Sequence, residues 1–280
     1  MLRALLSLGN EHVLRPFDLE LVRRSRVPGH VNASQPTARR IAFFHPPKCG
    51  GTSVRKWLAT AFGGPAGLDP VAAEAAAHNL GVSAASAREA ILAYFIQRED
   101  TRFISGHFAY SRRAFVNHED EFDLITILRN PLSRTLSRYY FQSDKPDHFP
   151  IEGELQDWLL TDDAKAAARV FTTMFVGDIE LMRSLMRGGD KVGLRAAALQ
   201  AIDNLKGFTI VGTLEHLGAF EDAIQQRYGV RSRMGHARSN PTYPRFAQQP
   251  PAVQDRLREL CHEDLMIYEA FAERSPRIDQ

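Results

Sequence analysis

The chain has 280 residues, enough for one large core and close to the size at which chains begin to divide into domains. Its 35 basic and 33 acidic residues leave a net charge of +2, so no global field draws it to nucleic acid or to an anionic membrane. The two cysteines, Cys49 and Cys261, lie far apart, which excludes a disulfide framework or a cysteine metal cluster and suits a reducing compartment.

The apolar run around Leu5, Leu6 and Leu8 is too short for a membrane span or a signal-peptide core. A cytoplasmic protein is expected, with peripheral membrane contact through residues 1–25 left open. Residues 1–39, with Pro28, Gly29 and Pro36, read as a lead-in, and 40–280 as a single domain. Ile41 to Phe44 is a continuous apolar run, the pattern of a strand covered on both faces. Pro46 and Pro47 stop it. Val54, Trp57, Leu58, Ala61 and Phe62 then repeat at helical spacing. The segment between, Lys48-Cys49-Gly50-Gly51-Thr52-Ser53, therefore delivers backbone N–H groups and two hydroxyls to a helix N-terminus, which favours an anion. Lys48 adds a full charge, and the glycines allow a tight turn. The segment reads as a phosphate or sulfate cradle. It is not a Walker A loop, because the lysine precedes the glycines. Cys49, at a helix start beside Lys48, is expected to have a lowered thiol pKa and to be open to alkylation, with only a packing or backbone role.

Gly63-Gly64-Pro65 ends this helix, and residues 70–98 read as two helices broken near Gly81, with Ser83 capping the second. Strand-like runs follow at 102–108 and 122–128. Pro131 suits the first turn of a helix carrying Leu132, Leu136, Tyr139 and Tyr140. Residues 143–206 are mostly helical and form an insertion or cap. A third core strand is expected at 208–212, a helix ended by Gly229, and one last helix opened by Pro251. Alternating strands and helices predict an α/β fold with a mainly parallel sheet.

Two further groups carry chemistry. Arg129 stands at a strand end, where open α/β sheets place ligands, and Ser137 follows two helical turns on. Arg offers a planar fork of donors to a phosphate, and Ser a hydroxyl. Arg134 and Arg138 read as solvated charges or substrate contacts, and Tyr139 and Tyr140 as core. His107, just past a strand end, is the candidate general base. His45 competes but reads as a supporting residue, and Glu119 or Asp120 stay open as carboxylate bases. The basic loop 231–240 is either solvated or closes over a ligand.

Pro47-Lys48-Cys49-Gly50-Gly51-Thr52-Ser53 resembles the 5′-phosphosulfate loop of sulfotransferases that use 3′-phosphoadenosine 5′-phosphosulfate (PAPS), most closely those related to heparan sulfate 2-O-sulfotransferases. Arg129-Asn130-Pro131 through Ser137-Arg138-Tyr139-Tyr140 resembles that family's 3′-phosphate motif, with Asn130 where Asp is usual. The Val211-Gly212 to Glu215 stretch bears a weaker likeness to a later strand end.

The resemblance implies a P-loop NTPase-like sheet. PAPS would be bound by the 48–53 loop, including Cys49, and by Arg129 and Ser137. It further implies Lys48 and His107 as catalytic residues, no metal, and adenosine 3′,5′-bisphosphate as product. A carbohydrate or glycolipid hydroxyl is the expected acceptor, with specificity in 143–206 and 230–249. The animal members carry an N-terminal membrane anchor, a feature this sequence does not display. A Mg²⁺-dependent phosphotransferase, or a binding protein without turnover, remains the alternative.

Overall fold

The computed structural model describes residues 39–144, 151–186, 191–234, 243–273 and 277–278. The lead-in expected over 1–39 lies outside them except for Arg39, and residues from 39 onward form one compact unit. The fold is α/β, built on a six-stranded sheet ordered β2-β3-β1-β4-β5-β6. The strands are β1 (Arg40–Phe44), β2 (Ala66–Gly67), β3 (Phe103–Gly106), β4 (Phe122–Leu128), β5 (Ile210–Thr213) and β6 (Arg277–Ile278). The first five are parallel, and β6 pairs antiparallel at the β5 edge.

Every residue of β1 is buried, Ile41 to Phe44 as an unbroken apolar run at the centre of a doubly covered sheet requires. Phe43 pairs in register with Ser105 on one side and Ile125 on the other. The longer helices are α1 (Gly51–Phe62), α2 (Pro70–Leu80), α3 (Ala84–Gln97), α4 (Pro131–Ser143), α5 (Lys191–Lys206), α6 (Leu217–Tyr228), α7 (Pro251–Leu260) and α8 (His262–Ala272). Local chemistry sets their ends. The Ser83 hydroxyl accepts from Ser86 N–H, Asp69 caps α2, and Gly229 closes α6 at φ 67°.

The single last helix read from the sequence is instead α7 and α8, interrupted at Cys261. The change of direction has a packing cause. Val253, Leu257 and Leu260 join a cluster with Leu136, Tyr139 and Trp158, whereas Ile267, Tyr268 and Phe271 join the main core under the sheet. One straight helix could not face both. The short β2 and β6, two residues each, carry too little pattern to be read from sequence.

The chain leaves β1 toward β2 and β3, then crosses back over β1 to β4. That reversal makes the C-terminal end of β1 a switch point, the place where open parallel sheets form a crevice. Among the described residues no helix is long and apolar enough to cross a membrane.

Candidate active site

The end of β1 is fixed from both neighbours. His45 N–H bonds the Gly106 carbonyl at 3.1 Å, and Thr126 Oγ1 donates to the Phe44 carbonyl at 2.8 Å. The loop then turns through Lys48 at φ 67° and Gly50 at φ 74°. A lysine in that region costs on the order of 1–3 kcal/mol, which the surrounding contacts must offset. The two glycines serve different ends. Gly50 takes the left-handed backbone before α1, where a Cβ would also lie 2.9 Å from Leu214 Cδ1. Gly51 gives room to a ring, since a Cβ there would sit 1.8 Å from His45 Cδ2. The twelve-residue α1 opens with no capping side chain and no acidic residue in its first turn. The Ser53 N–H bonds the Gly50 carbonyl at 3.1 Å, and the partial positive charge of the helix start faces the loop mouth. Thr52 is exposed there and Ser53 half-buried.

The second motif lies on the β4 side of this loop. Arg129 Nη1 donates to the Lys48 carbonyl at 3.0 Å, so the two segments are joined directly. Burial lowers the pKa of this guanidinium, while Cys49 and Glu215 act the other way. Asn130 caps α4 through its side chain, accepting from Leu132 N–H and Ser133 N–H, and its own N–H donates to Glu215 Oε1 at 3.0 Å. The β5 end is thus tied to the same corner. Lys48 Nζ lies 3.5 Å from the centroid of the Phe141 ring. Ser137 is one turn before Phe141 on α4.

His107 stands on the opposite, β3 side. Its Nδ1 lies 2.6 Å from the His45 carbonyl oxygen, which can only accept. In the neutral ring Nδ1 therefore holds the hydrogen, and Nε2 carries a lone pair. The two imidazoles pack with centroids 4.4 Å apart, and His45 also stacks on Phe43. Burial lowers the His107 pKa, opposed by its bond to the His45 carbonyl and reinforced by Arg88 and Arg55. Burial, then the charges of His107 and Arg55, bring His45 down to about 3. A cleft of 540 Å³ opens here between His107, Thr52, Arg55 and the β2 segment. A second, of 460 Å³, lies on the other side of His107 against α3 and residues 173–183.

No protein-family model matches this chain, and no curated protein matches it.

Lys48 and Arg129 are thus joined at one loop that also carries Gly50, Gly51, Thr52 and Ser53, Ser137 follows on α4, and His107 lies beyond His45 on the far flank. Other expectations are overturned. Cys49 is fully buried, and burial pushes its thiol up to about 12 against the pull of Arg134 and Arg129, so it is no alkylation target. Arg134 is no solvated charge. It is wholly buried, donates to the Ala167 carbonyl and to Thr135 Oγ1, and lies 3.9 Å from the buried Asp264 carboxylate. Arg138, by contrast, stays at the surface as a solvated charge would, paired with Asp163 at 2.9 Å. Tyr139 is core, but Tyr140 is only half-buried and stacks on Tyr243.

Glu119 and Asp120 precede β4, whose seven residues separate them from the loop by roughly 20 Å of strand. They sit at the wrong edge of the sheet to serve as a base. Of the basic loop, residues 235–240 lie outside the described residues. Its first part is anchored by Trp57 Nε1 donating to the Ser232 carbonyl and by an Arg233–Asp222 pair. Phe141 and Arg55 are the residues that sequence reasoning missed. Phe141 was within reach as the fourth residue after Ser137, and Arg55 as the third after Thr52 on one helix face. Among the described residues, no group of three or more His, Cys, Asp or Glu could hold a metal ion.

Proposed function

We propose that this chain is a PAPS-dependent sulfotransferase with a P-loop-like core, moving a sulfuryl group to a carbohydrate hydroxyl. The observation that carries the reading is the Arg129 hydrogen bond to the Lys48 carbonyl, which joins the two phosphate-seeking motifs at one switch point. An uncapped helix start, flanked by a lysine and an arginine, fits a ligand with two separated anionic groups.

In this reading the backbone N–H groups of Gly50 to Thr52, with the Thr52 and Ser53 hydroxyls beside them, hold the 5′ end of the nucleotide, and Arg129 and Ser137 hold its 3′-phosphate. PAPS supplies a sulfuryl group on a phosphate leaving group, and the acceptor oxygen bonds sulfur as the bond from sulfur to the bridging oxygen breaks. His107 Nε2 takes the acceptor's hydroxyl proton. Lys48 meets the charge left on the bridging oxygen, exchanging its contact with Phe141 for it. Loss of one such stabiliser costs about 3–4 kcal/mol in comparable sites.

Calorimetric titration with adenosine 3′,5′-bisphosphate, beside ATP with Mg²⁺, tests the reading. Wild type should bind the bisphosphate and not ATP, and Arg129→Ala should weaken that binding by tenfold or more, the ratio of about 1.4 kcal/mol. Absence of bisphosphate binding defeats the reading. ATP binding in its place transfers it to a phosphotransferase.

A further inference from the structure

The 460 Å³ cleft has no part in the nucleotide site, yet it shares His107 with the 540 Å³ cleft. It lies where two apolar clusters fail to meet. Met174, on one wall, belongs to the main core under the sheet, and Tyr110 packs against that core. Met182, on the other wall, packs against the small cluster of Val176, Leu194 and Ala197. Ile179, Ala85 and Ala109 extend the apolar lining. Close-packed interiors leave few gaps of this kind, and water filling this one would find few partners on those walls.

The charged side chains around the cleft already have partners. Arg88 pairs with Glu74 at 2.6 Å and Arg183 with Glu180 at 3.0 Å. Glu89 accepts from Ser111 Oγ and from Arg113, and Asp178 accepts from the N–H groups of Glu180 and Leu181. The lining also holds three carboxylates, Glu74, Glu89 and Asp178, against two guanidiniums, Arg88 and Arg183. An anionic ligand would have to take an arginine from its partner and would meet an excess of negative charge. What the cleft offers instead is apolar surface, including two methionines whose unbranched side chains adapt to irregular shapes. Its size falls in the range of small-molecule sites, about 300–1,000 Å³.

The neighbouring cleft has the opposite character, with Thr52 and Arg55 on its walls, and His107 stands where the two adjoin. A molecule spanning both would place a hydroxylated head in the first, an apolar tail in the second, and the junction at the imidazole.

We infer that the 460 Å³ cleft binds the alkyl chain of an uncharged alkyl glycoside, a sugar hydroxyl of the same molecule lying at His107. The fate of that hydroxyl rests on the sulfotransferase reading; the alkyl site does not.

The test compares n-hexyl β-D-glucoside with methyl β-D-glucoside, at concentrations where the hexyl compound is monomeric. Each is titrated calorimetrically, without nucleotide, into wild type, Ala85→Trp and Met182→Asp. Each added methylene is worth up to about fourfold in affinity when fully buried. Hexyl glucoside should therefore bind wild type at least about 10-fold more tightly than methyl glucoside. Ala85→Trp, which fills the cleft, and Met182→Asp, which puts a charge in it, should each abolish that preference. Adenosine 3′,5′-bisphosphate affinity, read in parallel, should be the same in both variants as in wild type. The His107 imidazole signal in the NMR spectrum, assigned by its loss in His107→Gln, should shift on saturation with hexyl glucoside.

Equal binding of the two glucosides overturns the inference. So does a hexyl preference that survives in both variants, which would place the chain elsewhere on the surface, or a His107 signal that does not move. Failure of wild type to bind the bisphosphate defeats the sulfotransferase reading alone, because the hexyl preference is measured without it.

Discussion

His45 makes the stability of this fold depend on pH in a way that can be calculated. Its ring lies against Gly51, Phe43 and His107, and burial first of all holds its pKa at about 3 against an ordinary 6.5. The folded state therefore keeps the ring neutral where the unfolded chain would protonate it. Well above pH 6.5 nothing is lost. As the pH falls from 6.5 toward 3, the unfolded state gains protons that the folded state refuses, and stability drops. The loss is slight at pH 7, about 2 kcal/mol at pH 5 and about 5 kcal/mol well below pH 3. Against a total of about 5–15 kcal/mol for a typical domain, that is a large share.

Urea denaturation of wild type and His45→Asn at pH 7 and pH 5, followed by tryptophan fluorescence, isolates the effect. Groups that titrate in this range away from His45 and the His107 ring packed on it do so in both proteins and largely cancel. Between the two pH values wild type should lose about 2 kcal/mol more than the variant, with unchanged urea dependence. Equal losses in the two proteins, to within about 0.4 kcal/mol, would refute the argument that His45 is buried neutral.

Other outcomes follow from the same geometry. His107→Gln should lower the rate of bisphosphate release in the sulfuryl-transfer assay by about 10²–10⁴. In wild type that rate should fall with acid through an apparent pKa below 6.5, because burial lowers the His107 pKa and only the neutral ring accepts a proton. Gly51→Ala should destabilise the fold by about 1–3 kcal/mol in thermal and urea unfolding, with part of the loss recovered in the double variant with His45→Ala, which removes the ring the new Cβ would strike. Cys49 should resist iodoacetamide in the folded protein at pH 8 and react once urea unfolds it, as mass spectrometry of the modified peptide would show. Arg134→Leu should cost about 3–5 kcal/mol in urea unfolding, because it leaves the Asp264 carboxylate buried without its cation.

Much of the scaffold was legible because its signals are local. Phe122 to Leu128 is a run of buried-strand residues ended by Arg-Asn-Pro, and β4 occupies those seven residues. Ser83, Asn130 and Gly229 mark helix ends by chemistry that acts within four residues. What could not be read depends on partners distant in the chain. Arg134 and Arg138 look alike in sequence and stand one turn apart on α4. One is sealed beneath Ala167 and Asp264, and the other meets Asp163 at the surface. Cys49 has the sequence surroundings of a reactive thiol, yet its side chain turns into the core. The kink at Cys261 answers to two hydrophobic clusters at once, which no single periodic stripe records. The convergence of Lys48 with Arg129 was foreseeable only as a possibility of the strand order, since 81 residues separate them.

The bond from His107 to the carbonyl of His45, rather than to a carboxylate, has a practical meaning for anyone altering this protein. Replacing the side chain at position 45 leaves that oxygen where it is, so no point substitution deletes the group that aims the imidazole. Nor can a carbonyl change its charge with acidity. A carboxylate partner would have lent His107 extra affinity for a proton and added an ionisation of its own. Held by the main chain, the imidazole is a comparatively weak base whose orienting partner does not ionise, and its reach can be redirected only by moving the end of β1.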